Sequence, residues 1–531
     1  METTDIKVPY FSQSEIPQFA VVQVWHALSK LKTNKSTVPG DLPAKVIKLF
    51  AVYLAEPLTD IINTSLKRGE YPQIYKFEVS TPVPKVKPTQ SAAQLRNISG
   101  LKNFDKVMEK LVSELIISDM ENSLDKAQYG NQRGLSIQHY LVKMVHRILT
   151  VVDKNSTKEK FAVLVNLVDW NNAFPRQCPK LGIESFLRNG VRPSLIPFLM
   201  NYFQGRQMSV RWQGAFSEPR TVNGGTPQGA SFGNLGYLSQ SNNNVDIIPE
   251  DDKFKFVDDL STLEVINLLS VGIASFNFKL NVADNVPLHN QIIPASNLKS
   301  QQWLSEINDW TEKQKGLINE KKTKTMIFNY TQDFQFTTNL KLKGESIEVI
   351  KSTKLLGTII SDDLKWNLNT ANLVKKANLS MEILRRIASF GAPVKDLKQI
   401  YFLFVRSLLE QSAVVWNSGP SQDNTNGLER VQKSAVKIIL GNEYTNYENA
   451  LSKLGMTKLS DRRDELCLKF ASKCLKNKKT KDMFPENKKT HKMKTRKSEK
   501  YFVQMAASER LKRSPIIYMQ TLLNKDDSSQ S

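Results

Sequence analysis

The sequence predicts an α+β fold in which a strand-bearing lobe lies between two helical lobes. Two apolar runs and the periodicity around them lead there. "FAVLVNLVDW" (161–170) is too apolar for a surface edge and reads as a buried strand with Asp169 at its end. "KFKFVDDLSTLEV" (253–265) alternates as a pleated strand does, then sets Asp258 and Asp259 side by side. Residues 20–150 and the chain beyond about 367 read as mainly helical.

In chain order, the first helical region is broken by "VSTPVPKVKPTQ", whose prolines exclude a helix. After the 161–170 strand, "RPSLIPFLMNYF" reads as a helix and "RQMSVRWQGAFSEPRTV" as a hairpin around Gly214. "NGGTPQGASFG" is a glycine-rich turn. The stretch 273–300 has no clean period and reads as an inserted loop. Trp303, Ile307, Trp310 and Leu317 then fall at helical spacings, and "TKTMIFNY" and "LKLKGESIEVIKS" read as strands. Four helical runs follow, with Trp416 read as core. The segment 476–500, "KNKKTKDMFPENKKTHKMKTRKSEK", is basic and too poor in apolar residues to fold alone.

A chain of 531 residues is too long for one simple core and implies several lobes. Its 74 Lys+Arg against 52 Asp+Glu leave a net charge of +22, which favours a polyanionic partner, with plain solubility as the competing explanation. Three cysteines make no disulfide framework and no zinc-knuckle spacing, and fit a reducing compartment. The N-terminus lacks the layout of a signal peptide, and no apolar run approaches the roughly 18–20 residues that span a bilayer. The expectation is an intracellular protein with no membrane partner.

Four Asp–Asp pairs occur, at 251–252, 258–259, 362–363 and 526–527, and only the second has an apolar approach. Burying a carboxylate without a partner is costly, so a waiting cation would explain that pair. Asp169 raises the same question, although capping of the following turn explains it equally well on that segment alone. Two strand-end carboxylate sites in one lobe could together hold two Mg²⁺ ions about 3.5–4 Å apart. On a basic chain, that arrangement points to nucleotidyl transfer.

Several blocks, taken together, are more specific. "PGDLPAKVIK", "TPVPKVK…LRNISGLKNFDKVMEKLV", "AQYGNQRGLSIQHYL", "DWNNAF", "GTPQG", "FVDD", "INEKKTK" and "TKLLGTIISDDLKW" occur in that order, followed by "LLEQSAVVWN" and "LERVQKSAVKIILG". From roughly residue 35 to residue 475 the chain resembles the reverse transcriptases of non-LTR (LINE-type) retrotransposons, close to the jockey-like group.

The resemblance implies an RNA-directed DNA polymerase with right-hand architecture: fingers, a palm with an antiparallel sheet, and a helical thumb. It implies an N-terminal extension at 1–34, fingers at 35–160, and a palm at 161–350 that includes the 273–300 insertion. A primer-grip-like region and thumb would cover 351–475, and a basic tail 476–531. Asp169 and Asp258 match the main ligands of two Mg²⁺ ions, with Mn²⁺ as a substitute, and Asp259 a further or supporting carboxylate. Trp170 would offer its backbone carbonyl, and Phe174 would be the steric gate against a ribose 2′-hydroxyl. Gln228 would contact nucleotide and template, with Gly225 and Gly229 permitting close approach. Lys85 and Arg96 match fingers cations for the triphosphate, exposed surface charge being the other reading of each. Lys322 matches a general acid for pyrophosphate.

Implied partners are an RNA template, a DNA primer, their RNA–DNA duplex and dNTPs, in nucleus and cytoplasm, with no oligomeric state indicated. Lys375, Lys376, Arg385, Arg386, Arg430, Lys433 and Lys437 are either duplex contacts or solvated helix-face charges.

The chain departs from the family at Pro175, where an acid is usual, at Asn97 in place of proline, and at Phe256 in place of tyrosine. "GNLGYLSQSNNN" is more polar than the helix that generally follows PQG. An endonuclease domain normally precedes the polymerase, and the residues before the first block leave no room for one. The alternative expectation is a decayed or endonuclease-less element product that binds nucleic acid without catalysis.

Overall fold

The structure, a computed structural model, describes residues 6–34, 37–85, 87–156, 159–242, 244–269, 288–331, 334–487 and 500–530. Helices α1 (Val21–Ser29), α2 (Ala44–Leu49) and α3 (Ala51–Arg68) open the chain. Val24 and Leu28 of α1 are buried with Leu58, Ile62 and Leu66, which recur along one face of α3. Ile6, Ile16 and Phe19 join the same core, so the described part of the expected N-terminal extension is built into this helical lobe.

Strand β1 (Phe77–Pro84) pairs antiparallel with β2 (Leu95–Gly100). Helices α4 (Asn103–Met120) and α5 (Ile137–Val152) follow, then β3 (Phe161–Val168), α6 (Pro179–Arg188) and α7 (Ile196–Phe203). Strand β4 (Gln207–Trp212) runs parallel to β1 through Phe77–Ser80 only. Pro82 and Pro84 therefore fall on the half of β1 that has β2 as its one neighbour, where a missing N–H breaks no ladder. The expected hairpin around Gly214 is present: β4 returns as β5 (Ala215–Phe216), and β6 (Arg220–Thr221) also pairs with β4. Strand β2 lies within a region read as helical; it is short and largely exposed, so its sequence carries no buried alternation.

Helix α8 (Ser231–Gln240) leads to the hairpin of β7 (Lys253–Phe256) and β8 (Asp259–Asn267). Strand β9 (Leu288–Ile293), helix α9 (Lys299–Lys313) and strand β10 (Lys324–Phe328) come next. Strands β11 (Phe334–Thr338), β12 (Lys341–Leu342), β13 (Glu345–Ser346) and β14 (Glu348–Val349) complete the middle region. Its main sheet has the order β14-β10-β3-β8-β7, with β3 at the centre and antiparallel to both neighbours. Residues 270–287, most of the expected 273–300 insertion, lie outside the described residues.

Both faces of this sheet are covered. Val163 and Val165 of β3 pack toward α5, while Ala162, Leu164 and Val168 join Trp303, Leu304 and Ile307 of α9. Asn166, fully buried, donates to Thr262 Oγ1 (3.2 Å) and Ser300 Oγ (2.9 Å) and accepts from Thr325 Oγ1 (2.8 Å). Those bonds reach three elements at once and hold the strands in one register. Glu264 of β8 accepts from the N–H groups of Lys299 (2.8 Å) and Ser300 (2.7 Å), so a carboxylate caps the positive end of α9.

Strands β15 (Ser352–Leu355) and β16 (Thr358–Ser361) form a separate hairpin before the helical end of the chain. There α10 (Asn367–Ser389), α11 (Gln422–Leu440) and α12 (Leu459–Leu475) pack around Trp416, whose indole N–H donates to Gln411 O (2.8 Å). Helix α13 (Pro515–Gln530) buries Ile516, Ile517, Met519 and Leu523 in the core that also takes α5 and α12. The reading of 476–531 as a basic tail is corrected here. Met483 and Phe484, inside the basic run, are buried in the same core, and the apolar residues that dock the end, "PIIYMQTLL", lie beyond residue 500. Asp153 accepts from the N–H groups of Ala507 (2.9 Å) and Ser508 (2.7 Å), and Tyr518 donates to Asp464 (2.6 Å), tying this segment to the helices it covers. Residues 488–499, within the basic run, lie outside the described residues.

Met519 is fully buried. Met519→Ala is therefore expected to destabilise the protein by about 2–5 kcal/mol in denaturant unfolding. A solvated tail would give less than about 0.5 kcal/mol.

Candidate active site

Strand β3 ends at Val168, which pairs with Leu260 of β8. One step further along the same register, Asp169 stands across from Asp259. Phe256 pairs with Asp259, so Val257 and Asp258 form a tight turn at that end of the sheet. Two-residue hairpin loops need positive φ, and Val257 supplies it at φ 60°. For a β-branched residue this is a strained conformation, of the kind that costs about 1–3 kcal/mol and persists where surroundings enforce it.

All three acids sit above the usual carboxylate range, burial being the largest cause for each. Burial raises the Asp169 carboxyl, Lys322 opposes the rise, Asp258 adds to it, and Lys85 opposes it again. Burial also raises Asp258, against its own backbone N–H and Arg96. Asp259 is pushed up to about 6, by burial first and then by Asp258 and Asp169. Lys322 Nζ lies 3.9 Å from Asp169 Oδ2, an oxygen that is buried without a hydrogen-bond partner.

The cations come from two sides. Lys85 follows β1 directly, its N–H donating to Gln94 O (2.8 Å), and Arg96 pairs with Val83. Lys85 and Arg96 therefore share one face of the β1–β2 hairpin, and both side chains are exposed. Lys322 sits in the loop laced onto the end of β3: Asn171 N–H donates to Leu317 O (2.7 Å) and Asn319 N–H to Asp169 O (2.8 Å). Trp170, between them, donates its indole N–H to Thr311 Oγ1 (3.0 Å).

Phe174 stacks at a tilt on Tyr237 of α8, ring centroids 5.1 Å apart, and burial raises the Tyr237 phenol, with Asp258 and Asp259 adding to the rise. The glycine-rich loop is bonded to the same stretch, with Gly225 N–H donating to Gln177 O (2.8 Å) and Thr226 N–H to Phe174 O (3.2 Å). Gly225 has φ 76°, and a Cβ there would meet Pro175 O at 2.7 Å. Gln228 O accepts from Ser99 N–H (3.0 Å), joining the loop to β2. The unusually polar helix after this loop is also explained. Asn189 Nδ2 donates to Ser239 Oγ and O (2.9 Å each), and Asn242 donates to Ser123 O (2.7 Å), so Ser239 and Asn242 are bonded inside the protein.

Gln177 and Tyr237 were not singled out in the sequence. Gln177 lies inside the "DWNNAF" stretch's continuation, and Tyr237 is one aromatic residue among many; neither has a spacing that marks it. Of the helix-face cations, Arg385 and Arg386 pair with Glu382, and Lys433 and Lys437 lie 5.0 and 5.3 Å over the rings of Tyr447 and Tyr444.

Among the described residues, no three His, Cys, Asp or Glu side chains stand close enough to cage a metal ion by themselves. Mg²⁺ is usually held by one or two carboxylates together with water and substrate phosphates. An all-carboxylate donor set with an orphaned Asp169 oxygen fits such a hard cation.

The chain is similar in sequence to known proteins. Over 187 residues the chain is 29% identical to the probable RNA-directed DNA polymerase from transposon X-element of Drosophila melanogaster, covering 35% of this chain and 20% of that protein. Over 450 residues it is 22% identical to the probable RNA-directed DNA polymerase from transposon BS of the same species, covering 82% and 46%. The chain is similar to RNA-directed DNA polymerases of mobile elements. The RNA-directed DNA polymerase from mobile element jockey of Drosophila funebris is 21% identical over 384 residues, 70% of this chain and 38% of that protein. The resemblance drawn from the motifs is thus borne out. The matched region spans less than half the length of each of these reverse transcriptases, and no family model matches the chain.

The raised Asp259 gives a pH prediction. Its ordinary value is 3.8, so the folded chain holds a proton here that the unfolded chain has lost between about pH 4 and 6. Stability from this group is full below about pH 4 and is lost as pH rises through about 6. Asp259→Asn is expected to raise the melting temperature of chelator-treated protein by a few degrees near pH 7.5. The gain should shrink to nothing near pH 4.

Proposed function

We propose that the chain is an RNA-directed DNA polymerase that extends a DNA primer with dNTPs on an RNA template. The observation that supports this most is the convergence of Asp169 with Asp258 and Asp259 at one end of the antiparallel strands β3, β8 and β7, with Lys85, Arg96 and Lys322 around them. On this reading the β14-β10-β3-β8-β7 sheet is the palm, the β1–β2–β4 sheet with its helices the fingers, and the helices after residue 351 the thumb of a right-hand polymerase.

Asp169 and Asp258 would hold two Mg²⁺ ions, with Asp259 as the supporting carboxylate. When bound, the ions supply a more nucleophilic primer 3′-hydroxyl and charge neutralisation at the departing pyrophosphate. Lys85 and Arg96 hold the triphosphate, Arg96 as a planar fork and Lys85 as a point charge. Trp170, fixed between Thr311 and the Lys322 loop, presents its backbone to the same end of the sheet. Phe174, backed by Tyr237, fills the space a ribose 2′-hydroxyl would need. Gln228, on the loop tied to β2, lies between nucleotide and template. Lys322, beside Asp169, delivers a proton to pyrophosphate. The duplex is gripped by its phosphates along the thumb helices, without reading sequence.

Primer extension on an RNA template tests this. Wild-type protein should incorporate dNTPs in Mg²⁺, and Asp258→Asn should lower the rate by about 10²–10³-fold, the scale of losing one preorganised electrostatic contact. Incorporation that survives Asp258→Asn rejects the site. Tight RNA binding with no incorporation by wild type favours the product that binds without catalysis. Phe174→Ala should separately raise rNTP use by about tenfold or more at unchanged dNTP rate.

A further inference from the structure

The turn carrying Asp258 is held in a strained conformation, and one segment outside the site described above encloses it. We propose that Asp125–Gly130, and within it Gln128, is the positioning element that fixes the Val257–Asp258 turn for metal and nucleotide; this rests on the polymerase reading. Gln128 is 2% exposed and its side-chain Oε1 accepts two backbone N–H groups, from Val257 (3.0 Å) and Gly130 (2.9 Å). The first of these is the N–H of the residue with φ 60°. A buried amide oxygen that takes both donors leaves the turn one favourable arrangement, because releasing it orphans two N–H groups in the interior.

Three further contacts hold the same unit. The segment runs alongside β7 as an added strand, Tyr129 N–H donating to Lys255 O (2.8 Å) and Lys255 N–H to Ala127 O (2.9 Å). Asp125 Oδ2 lies 2.6 Å from the Lys255 ammonium, which also donates to Asn242 O (2.7 Å). Gly130 is in van der Waals contact with the turn: a Cβ there would lie 2.5 Å from Val257 N and 3.1 Å from Phe256 C. Backbone atoms cannot yield as a flexible side chain can, so position 130 requires glycine for space. Hydrogen bonds set the turn's conformation and the close approach of Gly130 sets its height above the sheet. Asp258 is the next residue along.

The test uses full-length wild type, Gln128→Met, Gln128→Glu and Gly130→Ala. Methionine keeps the length of glutamine with at best a weak acceptor, and glutamate keeps an oxygen for both N–H groups. Hydrogen exchange at the Val257 amide should be at least tenfold faster in Gln128→Met and Gly130→Ala, and near wild type in Gln128→Glu. The rest of the central sheet should be unchanged. In primer extension, the rate per active site should fall tenfold or more in Gln128→Met. The dNTP KM and template–primer affinity should hold within twofold, and Gln128→Glu should recover most of the loss. Unchanged exchange at Val257, faster exchange throughout the sheet, or an unchanged rate despite a loosened turn would each overturn the proposal. If wild type incorporates nothing, the polymerase reading fails, and the exchange comparison alone decides whether Gln128 holds the turn.

Discussion

Because β3 and β8 pair with Val168 opposite Leu260, the residue that follows β3 and the residue that begins β8 must share one end of the sheet. Both are aspartates, and the tight turn adds a third. Burial raises all three carboxyls above their usual range, and like charge adds to the rise at Asp169 and at Asp259, which reaches about 6. Left alone, such an arrangement opposes folding. The sheet tolerates it because the cost is met elsewhere, by two covered apolar faces and by strand registers locked from inside. A one-residue slip of β3 would turn Val163 and Val165 to the opposite face and strand Asn166 away from Thr262, Ser300 and Thr325. The register that separates these penalties from the alternatives also collects the acids.

The supports around the site differ in kind. Carboxylates sit on strand ends and on a turn pinned from behind, where displacement means breaking buried hydrogen bonds. The cations sit on exposed side chains: Lys322 is 69% exposed while the acid it faces is 39% exposed. Surface ion pairs of that kind contribute little stability and are screened by salt, so Lys322 is not there to hold the fold together. Half-buried acids beside exposed cations leave those cations accessible to a polyanionic partner.

Much of this was legible in the sequence, for identifiable reasons. The run 161–170 announces β3 because both its faces are buried, and the hairpin at 253–265 shows through its alternation. The acids stood out by contrast with apolar neighbours, and Phe174, Lys322 and Gln228 through motif spacing. Strand β2 did not, since an exposed strand carries no burial pattern and its ladder is made by backbone groups that have no letter. The docking of α13 was hidden behind a basic run whose composition speaks for solvent. Glu264, one of many acidic residues in the sequence, becomes a helix cap only once β8 and α9 are set side by side. Tyr237 and Gln177 likewise acquire roles from neighbours more than forty residues away in the chain. Local pattern reports burial; it does not report which distant group a polar side chain will meet.

The polar helix after the glycine-rich loop sharpens that point. Its serines and asparagines look unsuited to a core, and in isolation they argue for decay of the site they support. In the folded chain Ser239, Asn242 and Asn189 bond one another and the backbone at Ser123, and Asn242 Oδ1 accepts the N–H of Asp125 (2.7 Å). Asp125 in turn faces Lys255 of β7. A continuous path of buried polar contacts thus runs from α8 to the strand that presents Asp258. An apolar residue in place of Asn242 would leave the N–H of Asp125 and the carbonyl of Ser123 without this partner, and a buried backbone group left unpaired is costly. The polar residues at and just after the end of α8 therefore support the segment that borders the carboxylate turn, and buried hydrogen bonding accounts for the departure from an apolar helix.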